Sequence, residues 1–94
     1  MSKIELSELK SKDKKYLWHH ILPNNEEVSP MVIKEAKGSW ITDIDGNQYL
    51  DAMAGLWCVT VGYGREELAT AAYEQLKTMP YYPLTQSHVP AIQL

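Results

Sequence analysis

The sequence has little cysteine and no long apolar run. Its 94 residues include a single cysteine, Cys58, which cannot form a disulfide within the chain and so favours a reducing compartment. The opening residues lack the apolar stretch and the small-residue cleavage site of a secretory signal. No apolar run approaches the roughly 20 residues that a membrane helix needs. These features predict a cytoplasmic protein that does not enter a membrane.

Positive charge is also scarce. The net charge at pH 7 is −3, and most basic residues lie within the first 15 positions, where Asp13 interrupts them. A nucleic-acid-binding domain normally carries a basic stripe. The charge therefore argues against a nucleic-acid partner.

The sequence lacks the spacing of a metal site. His19 and His20 are adjacent, and adjacent residues on a helix point about 100° apart, so they do not converge on one ion. His88 lies far away, and one cysteine cannot supply the paired ligands of zinc. In the stretch that begins at Asp43 the glycine stands fourth rather than sixth, which does not fit a calcium loop. We expect no bound metal.

The composition is that of a folded protein. Hydrophobic residues make up 45% and charged residues 22%, which is typical of a globular chain and not of a disordered one. A chain of this length forms one small domain with a modest core. The apolar pattern that begins near Pro90 stops without a helix-ending signal, so we expect the chain to be the front portion of a longer protein.

The N-terminal third predicts short helices and a loop. Apolar residues at 4, 6 and 9 indicate a terminal helix over residues 2–10, and Asp13 is a candidate N-cap for a second helix over residues 14–21. Residues 23–30 have the composition of a loop. We therefore expect a helical arm and loop over residues 1–31.

The pattern then changes to a period of two, which predicts three strands over residues 31–36, 39–44 and 47–52. Asp45-Gly46 is typical of a two-residue type I′ hairpin turn. A helix follows, with Glu66 and Glu67 in its first turn and Pro80 after its end. We expect residues 32–94 to contain an antiparallel meander, an irregular active-site loop and this helix, which together make an α+β segment.

The irregular stretch MAGLWCVTVGYG, residues 53–64, combines three glycines with almost no charge. Such a stretch is either a buried turn or the wall of a pocket, and Trp57 suits core and ligand wall about equally. The glycines favour the pocket slightly, because they let the backbone approach a ligand. Cys58 is interpreted as a packing residue, and residues 62–64 as a turn that enters the next helix.

No lysine stands in a context that would desolvate it or lower its pKa, as a covalent catalyst requires. We therefore expect no catalytic residue within these 94 positions.

The run from Gly38 to Tyr82 resembles the N-terminal segment of the class III pyridoxal-phosphate-dependent aminotransferases. It carries the pattern W-x-x-D-x-x-G-x-x-Y-L-D from Trp40 to Asp51, followed by a glycine-rich approach and a helix. LWHHILP near the start and SHVPAIQL at the end resemble two further elements of that family. AGLWCV, continued by GYGR, is similar to the branch that transfers amino groups from ω-amino acids and amines to pyruvate.

The resemblance implies a fold-type I transferase, α/β overall, that acts as a homodimer with pyridoxal 5′-phosphate. The large cofactor domain and the catalytic lysine would come later than Leu94, and no cofactor-binding residue is assigned here. By the same resemblance, substrate-binding residues would be Leu56, Trp57 and Ile21, together with Tyr82 and Leu84 on a loop that reaches the neighbouring subunit's site. Ile21 is aliphatic where the family is usually aromatic, and His20 replaces the usual proline.

The resemblance implies amino-group transfer from a taurine- or β-alanine-like donor to pyruvate. One alternative is the diaminopelargonate-type enzyme of the biotin pathway, which usually has tryptophan where Leu56 stands. A second alternative, of another class, is a small non-catalytic binding module with Trp40 and Trp57 as exposed anchors.

Overall fold

The structure, a computed structural model, describes residues 2–23, 27 and 29–94. The predicted loop at 23–30 lies partly outside the described residues, at positions 24–26 and 28. The chain divides into two compact units, Met1–Tyr63 and Gly64–Leu94. The expected division into an arm at 1–31 and a remainder at 32–94 stays a prediction.

The first unit begins with one helix, α1 (Lys3–Tyr16), capped by a reciprocal pair in which the Ser2 hydroxyl accepts from the Glu5 amide and the Glu5 carboxylate accepts from the Ser2 amide. Such a capping box satisfies two amides of the first turn. The prediction of two short helices was wrong. Asp13 lies inside α1, and its carboxylate contacts His19 Nε2 at 3.0 Å instead of capping a second helix.

The predicted meander is confirmed. Strands β1 (Ile33–Lys37), β2 (Trp40–Asp43) and β3 (Gln48–Leu50) form an antiparallel sheet in the order β1-β2-β3. Alternating apolar and polar residues favour this arrangement, because successive side chains on a strand point to opposite faces. In the register of the sheet, Trp40 stands opposite Leu50.

The hairpin between β2 and β3 forms where predicted, but its turn is of another type. A type I′ turn needs positive φ at both central residues, and of Asp45 and Gly46 only Gly46 has it, at +91°. The Gly46 amide donates to the Asp43 carbonyl at 3.1 Å, and the Asp43 amide donates to the Asn47 carbonyl at 3.0 Å. The loop therefore has three residues, a type I turn followed by a glycine bulge.

Between β3 and the second unit the chain forms one short element, α2 (Ala54–Trp57), inside the irregular stretch. The second unit contains α3 (Glu66–Thr78), which is the predicted helix, and α4 (Val89–Gln93), where the apolar pattern near Pro90 begins. At the start of α4, the Ala91 amide donates to His88 Nδ1 at 3.3 Å.

Burial is slight. Of the described residues only Asp43, 5% exposed, and Ile44 are buried, both at the end of β2. Large apolar side chains on the sheet and on α3 are exposed, among them Trp40, Leu50, Leu68, Tyr73 and Leu76. These faces retain the apolar character of surfaces that pack against other structure. No helix of the described residues is long and apolar enough to cross a membrane.

Candidate functional site

The irregular stretch contains a left-handed helical turn. All four residues of α2 have positive φ: Ala54 at +49°, Gly55 at +58°, Leu56 at +59° and Trp57 at +69°. The ψ angles of Gly55 and Leu56, 39° and 54°, match the left-handed α conformation. The turn closes with a hydrogen bond from the Trp57 amide to the Met53 carbonyl at 2.9 Å.

This turn is costly for L-amino acids, because the Cβ atom crowds the following carbonyl oxygen. The cost is roughly 1–2 kcal/mol for each non-glycine residue, and three of the four residues in α2 are not glycine. Strained conformations persist only where the surroundings over-determine them, and they cluster at functional sites. The left-handed turn is therefore a candidate site on geometric grounds.

The side chain of Asp51, just after β3, holds the turn from inside. Its Oδ1 accepts a hydrogen bond from the Met53 amide at 3.0 Å, and its Oδ2 accepts one from the Gly55 amide at 2.8 Å. The Asp51 amide donates to the Ser39 carbonyl at 2.8 Å, which ties the aspartate to the sheet. The Asp51 carboxylate, at the end of the sheet, thus fixes the amides of two alternate residues, Met53 and Gly55, at the start of the turn.

Tyr63 supplies a third donor to the same carboxylate. Its hydroxyl donates to Asp51 Oδ2 at 2.6 Å. The backbone of Tyr63 is itself anchored, since its amide donates to the Gly38 carbonyl at 2.8 Å and its carbonyl accepts from the Gly38 amide at 3.0 Å. The Tyr63 amide is therefore engaged with the sheet, which agrees with the interpretation of residues 62–64 as a turn that enters the next helix.

Gly55 is needed for space as well as for its φ angle. A Cβ atom at this position would lie 2.9 Å from the Tyr63 hydroxyl oxygen and 3.0 Å from Val59 Cγ2. Both distances are at or below the limit of real contacts between such atoms. The tyrosine hydroxyl therefore sits where a side chain at position 55 would begin.

The hydrogen bonds shift the titration of both side chains. The Tyr63 hydroxyl, and then the Gly55 and Met53 amides, lower the pKa of Asp51 below its ordinary value. The hydrogen bond to the Asp51 carboxylate is the main cause that raises the pKa of Tyr63. At neutral pH the pair is thus an ionised carboxylate that accepts from a protonated phenol.

The turn displays two of the predicted substrate-binding residues, Leu56 and Trp57. The Trp57 indole is 84% exposed and Leu56 is about half exposed, so the indole is not part of a packed core in this chain. Ile21, predicted to border the same pocket, lies after α1; it is 83% exposed and also has a positive φ, +68°. For a β-branched residue such a φ is an outlier.

The other two predicted residues, Tyr82 and Leu84, lie in the second unit. They line an open groove of about 460 Å³. Its other lining residues come from the end of α3, the following loop and the start of α4: Gln75, Met79, Pro80, Tyr81, His88 and Pro90. The groove gathers these two predicted residues into one apolar surface, whereas Leu56 and Trp57 belong to the first unit.

Two further expectations concern reactive groups. Cys58 was interpreted as a packing residue, and this was wrong for the chain described here: it is exposed, and its thiol contacts the Leu56 carbonyl at 3.5 Å. Every lysine is exposed, so none has the desolvated surroundings of a covalent catalyst. Within the described residues no cluster of three or more metal-ligating side chains occurs.

Sequence reasoning missed Asp51, Gly55 and Tyr63 as parts of this site. A signal for Asp51 was present, because an aspartate that precedes a turn commonly accepts the amide two residues later. The bond from Tyr63 had no local signal, since the residues are separated by 12 positions and meet only through the pairing of Tyr63 with Gly38.

The comparison with protein-family models identifies the class of protein. The model of the class III aminotransferases matches residues 21–93, and the chain belongs to this family.

The curated relatives give more particular likenesses. The chain is 59% identical over 86 residues to an uncharacterised aminotransferase, YhxA, of Bacillus subtilis, an alignment of 92% of this chain and 19% of that one. It is 46% identical over 83 residues to a putrescine–pyruvate aminotransferase of Pseudomonas aeruginosa (81% and 18%). It is 43% identical over 88 residues to a taurine–pyruvate aminotransferase of Bilophila wadsworthia (93% and 19%).

Among solved structures, an aminotransferase of Bacillus anthracis superposes with a TM-score of 0.91 at 50% identity, covering 99% of this chain and 20% of that one. The chain thus spans about a fifth of the length of the relatives that it matches. The expected fold, an α+β segment of a fold-type I transferase, is confirmed by these likenesses.

Pyridoxal phosphate is the cofactor that the family implies, and the described residues fit it in one respect only. The exposed indole of Trp57 offers a flat apolar face of the kind that covers a planar ring or an apolar substrate group. No exposed lysine of this segment suits covalent attachment. Of the described residues, the exposed indole is therefore the feature that suits contact with a planar ring.

Proposed function

We propose that the full-length enzyme transfers an amino group from an amine or ω-amino acid, taurine- or β-alanine-like, to pyruvate. The likeness to a taurine–pyruvate and a putrescine–pyruvate aminotransferase supports both the acceptor and the donor class. The observation that carries this segment's part is the exposed Trp57 indole on a strained left-handed turn. We propose that Leu56 and Trp57 form a wall of the donor pocket, with Ile21 at its border.

Pyridoxal phosphate, when bound, supplies the electron sink for amino-group transfer. The residues of this segment orient the donor and exclude water. Correct placement of a reactant increases the reaction rate many-fold, and exclusion of water strengthens the electrostatic interactions in the site. The indole limits the size of the donor's side chain, because its ring fills space next to the turn. The Leu56 side chain sets the apolar character of the same wall.

The proposal includes a homodimer in the cytoplasm. The apolar groove that Tyr82 and Leu84 line supports a role for this loop in binding, and the family resemblance assigns it to the partner subunit's site. The single cysteine supports a reducing compartment.

The central test replaces Trp57 in the full-length enzyme. With pyruvate as acceptor, kcat/KM is measured for a small donor, β-alanine or taurine, and for a bulky arylalkyl amine. Trp57→Gly should raise the ratio of bulky to small donor about tenfold or more, as expected when a large group is removed from a pocket wall. Its melting temperature should stay the same or rise slightly, because glycine relieves the left-handed strain at this position.

Trp40→Phe, on β2, is the matched control and should leave the ratio within about twofold, since a residue away from the pocket makes no differential contact with the donors. An unchanged ratio in Trp57→Gly would refute the pocket role. A full-length preparation that shows no cofactor absorbance after addition of pyridoxal phosphate would refute the enzyme assignment itself.

A further inference from the structure

The hydroxyl of Tyr63 donates to the carboxylate of Asp51, which in turn accepts from the amides at the start of the left-handed turn. The tyrosine backbone is paired with Gly38 at the edge of the sheet, by two hydrogen bonds of 2.8 and 3.0 Å. The pair is therefore a link between the rigid sheet and a strained turn.

The link runs from the sheet through Tyr63 and Asp51 to the backbone of the turn. Asp51 holds the turn through the amides of Met53 and Gly55, and Gly55 lies immediately before the two residues that the turn displays. If this carboxylate rotates, both amides lose their acceptor, while the left-handed φ angles at Leu56 and Trp57 remain sterically unfavourable. Tyr63 fixes the carboxylate by occupying Oδ2 at 2.6 Å.

Gly55 makes the arrangement possible. The space that its missing Cβ leaves is where the Tyr63 hydroxyl lies, 2.9 Å from the position that the Cβ would take. Aspartate, glycine and tyrosine thus form one interlocked unit. The hydroxyl donates to Asp51, the residue whose carboxylate accepts from the amides of the turn.

From this geometry we propose that Asp51 and Tyr63 are positioning residues, which set donor specificity by holding Leu56 and Trp57 in the left-handed conformation. This inference rests on the proposed role of Trp57 in the donor pocket. Neither residue touches the donor; each acts through the backbone of the turn.

The test uses the full-length enzyme and a matched pair of substitutions. Tyr63→Phe removes the hydroxyl that donates to Asp51, and Tyr49→Phe removes a similar hydroxyl that donates to Asp43 Oδ2 at 3.1 Å in the hairpin. Both variants lose one tyrosine–aspartate hydrogen bond at the end of a strand. Only the Tyr63 hydroxyl bonds the aspartate that holds the turn displaying Trp57.

Two quantities are measured for each variant. The first is the ratio of kcat/KM for a bulky arylalkyl amine over β-alanine, with KM and kcat reported separately. The second is hydrogen exchange of the Met53–Gly55 segment in the enzyme without cofactor, which does not depend on activity. Asp51→Asn, which leaves one acceptor oxygen for three donors, is carried as a second variant in case Tyr63→Phe folds poorly.

We expect Tyr63→Phe to shift the donor ratio about three- to tenfold in the direction of Trp57→Gly, because a misplaced wall loses selectivity. The shift should fall mainly on KM. Exchange at Gly55 should accelerate about tenfold, the effect of one lost hydrogen bond on local opening. Tyr49→Phe should leave the ratio within about twofold and exchange at Gly55 unchanged, since distant sites are independent.

The outcomes separate the two proposals. If Trp57→Gly changes the ratio and Tyr63→Phe and Asp51→Asn do not, the positioning role is overturned and the pocket role stands. If exchange at Gly55 is no faster in either variant, the positioning role is overturned irrespective of the kinetics. If exchange accelerates while Trp57→Gly itself leaves the ratio unchanged, the proposed pocket fails and the claim about specificity fails with it.

Discussion

Two turns of this chain are built on the same plan and differ in one respect. In the hairpin, Asp43 accepts the amides two and four residues later, at Asp45 and Asn47, and the hydroxyl of Tyr49. In the left-handed turn, Asp51 likewise accepts the amides two and four residues later and the hydroxyl of Tyr63. In each turn, an aspartate carboxylate thus accepts hydrogen bonds from two backbone amides and from one tyrosine hydroxyl.

The difference lies in which residues carry the positive φ angles. The hairpin places its one positive φ on Gly46, where it costs almost nothing. The other turn places positive φ on Leu56 and Trp57, which are strained there. The same pattern of hydrogen bonds to an aspartate therefore connects two strands in the hairpin, whereas in the left-handed turn it displays apolar side chains.

The largest expected effect concerns the isolated 94-residue chain. Since only Asp43 and Ile44 are buried among the described residues, the chain alone should show no cooperative thermal transition. Amide protection at Asn47 should outlast that at Gly55, because the hairpin is unstrained. Calorimetry and amide exchange by NMR test this, and a cooperative melt or equal protection in both turns would break the comparison.

The next effect compares two glycine substitutions in the full-length enzyme. Gly55→Ala combines an unfavourable φ with contacts at 2.9 and 3.0 Å and should destabilise by roughly 2–4 kcal/mol. Gly46→Ala meets nothing within 4 Å and should cost about 1 kcal/mol.

Denaturant unfolding measures both values. Gly55→Ala should also alter the ratio of kcat/KM for bulky and small donors, whereas Gly46→Ala should not. Equal destabilisation by the two substitutions would show that the close approach to Tyr63 has no energetic weight.

A smaller effect is expected from Leu56→Gly. Relief of the left-handed strain contributes roughly 1–2 kcal/mol, and the greater flexibility of glycine in the unfolded chain offsets roughly 0.5–1 kcal/mol of it. The variant should be more stable by about 0.5–1 kcal/mol and less selective among donors. Thermal or chemical unfolding together with the donor panel tests this; lower stability would mean that the strain is absent or that the leucine packs elsewhere in the full enzyme.

The smallest effect is on titration. Asp43 and Asp51 both have a pKa below the ordinary value, but the first cause for Asp51 is the Tyr63 hydroxyl, whereas for Asp43 it is the Asn47 side chain. Tyr63→Phe should therefore raise the pKa of Asp51 more than Tyr49→Phe raises that of Asp43. Carboxyl ¹³C shifts in selectively labelled protein measure the two values, and an equal change in both would contradict this ranking.

The sign of the pH dependence follows from these directions. A carboxyl with a lowered folded pKa stabilises above the unfolded value of about 4, and that contribution is lost as the pH falls through the folded pKa. Tyr63 has a raised pKa, so its contribution is complete below the unfolded value of about 10 and is lost as the pH rises through the folded pKa. The protection factor of the Gly55 amide, which corrects for the intrinsic pH dependence of exchange, should fall at both extremes and stay constant between them.

The sequence by itself determined the elements whose signals are local. Alternation with a period of two gave the meander, charges and apolar spacing gave α3, and the motif around Trp40 to Asp51 gave the family. The start of helix α1 also has a local signal, the Ser2–Glu5 capping box.

Only the tertiary structure decided the sign of φ at Ala54, Leu56 and Trp57. Local propensity favours right-handed or extended backbone for all three. The left-handed conformation depends on Asp51, which is fixed by the sheet, and on Tyr63, which reaches Asp51 only because its backbone pairs with Gly38. Contacts between residues distant in sequence leave no periodic pattern. For that reason the composition of this stretch indicated an irregular backbone but not whether it was left- or right-handed.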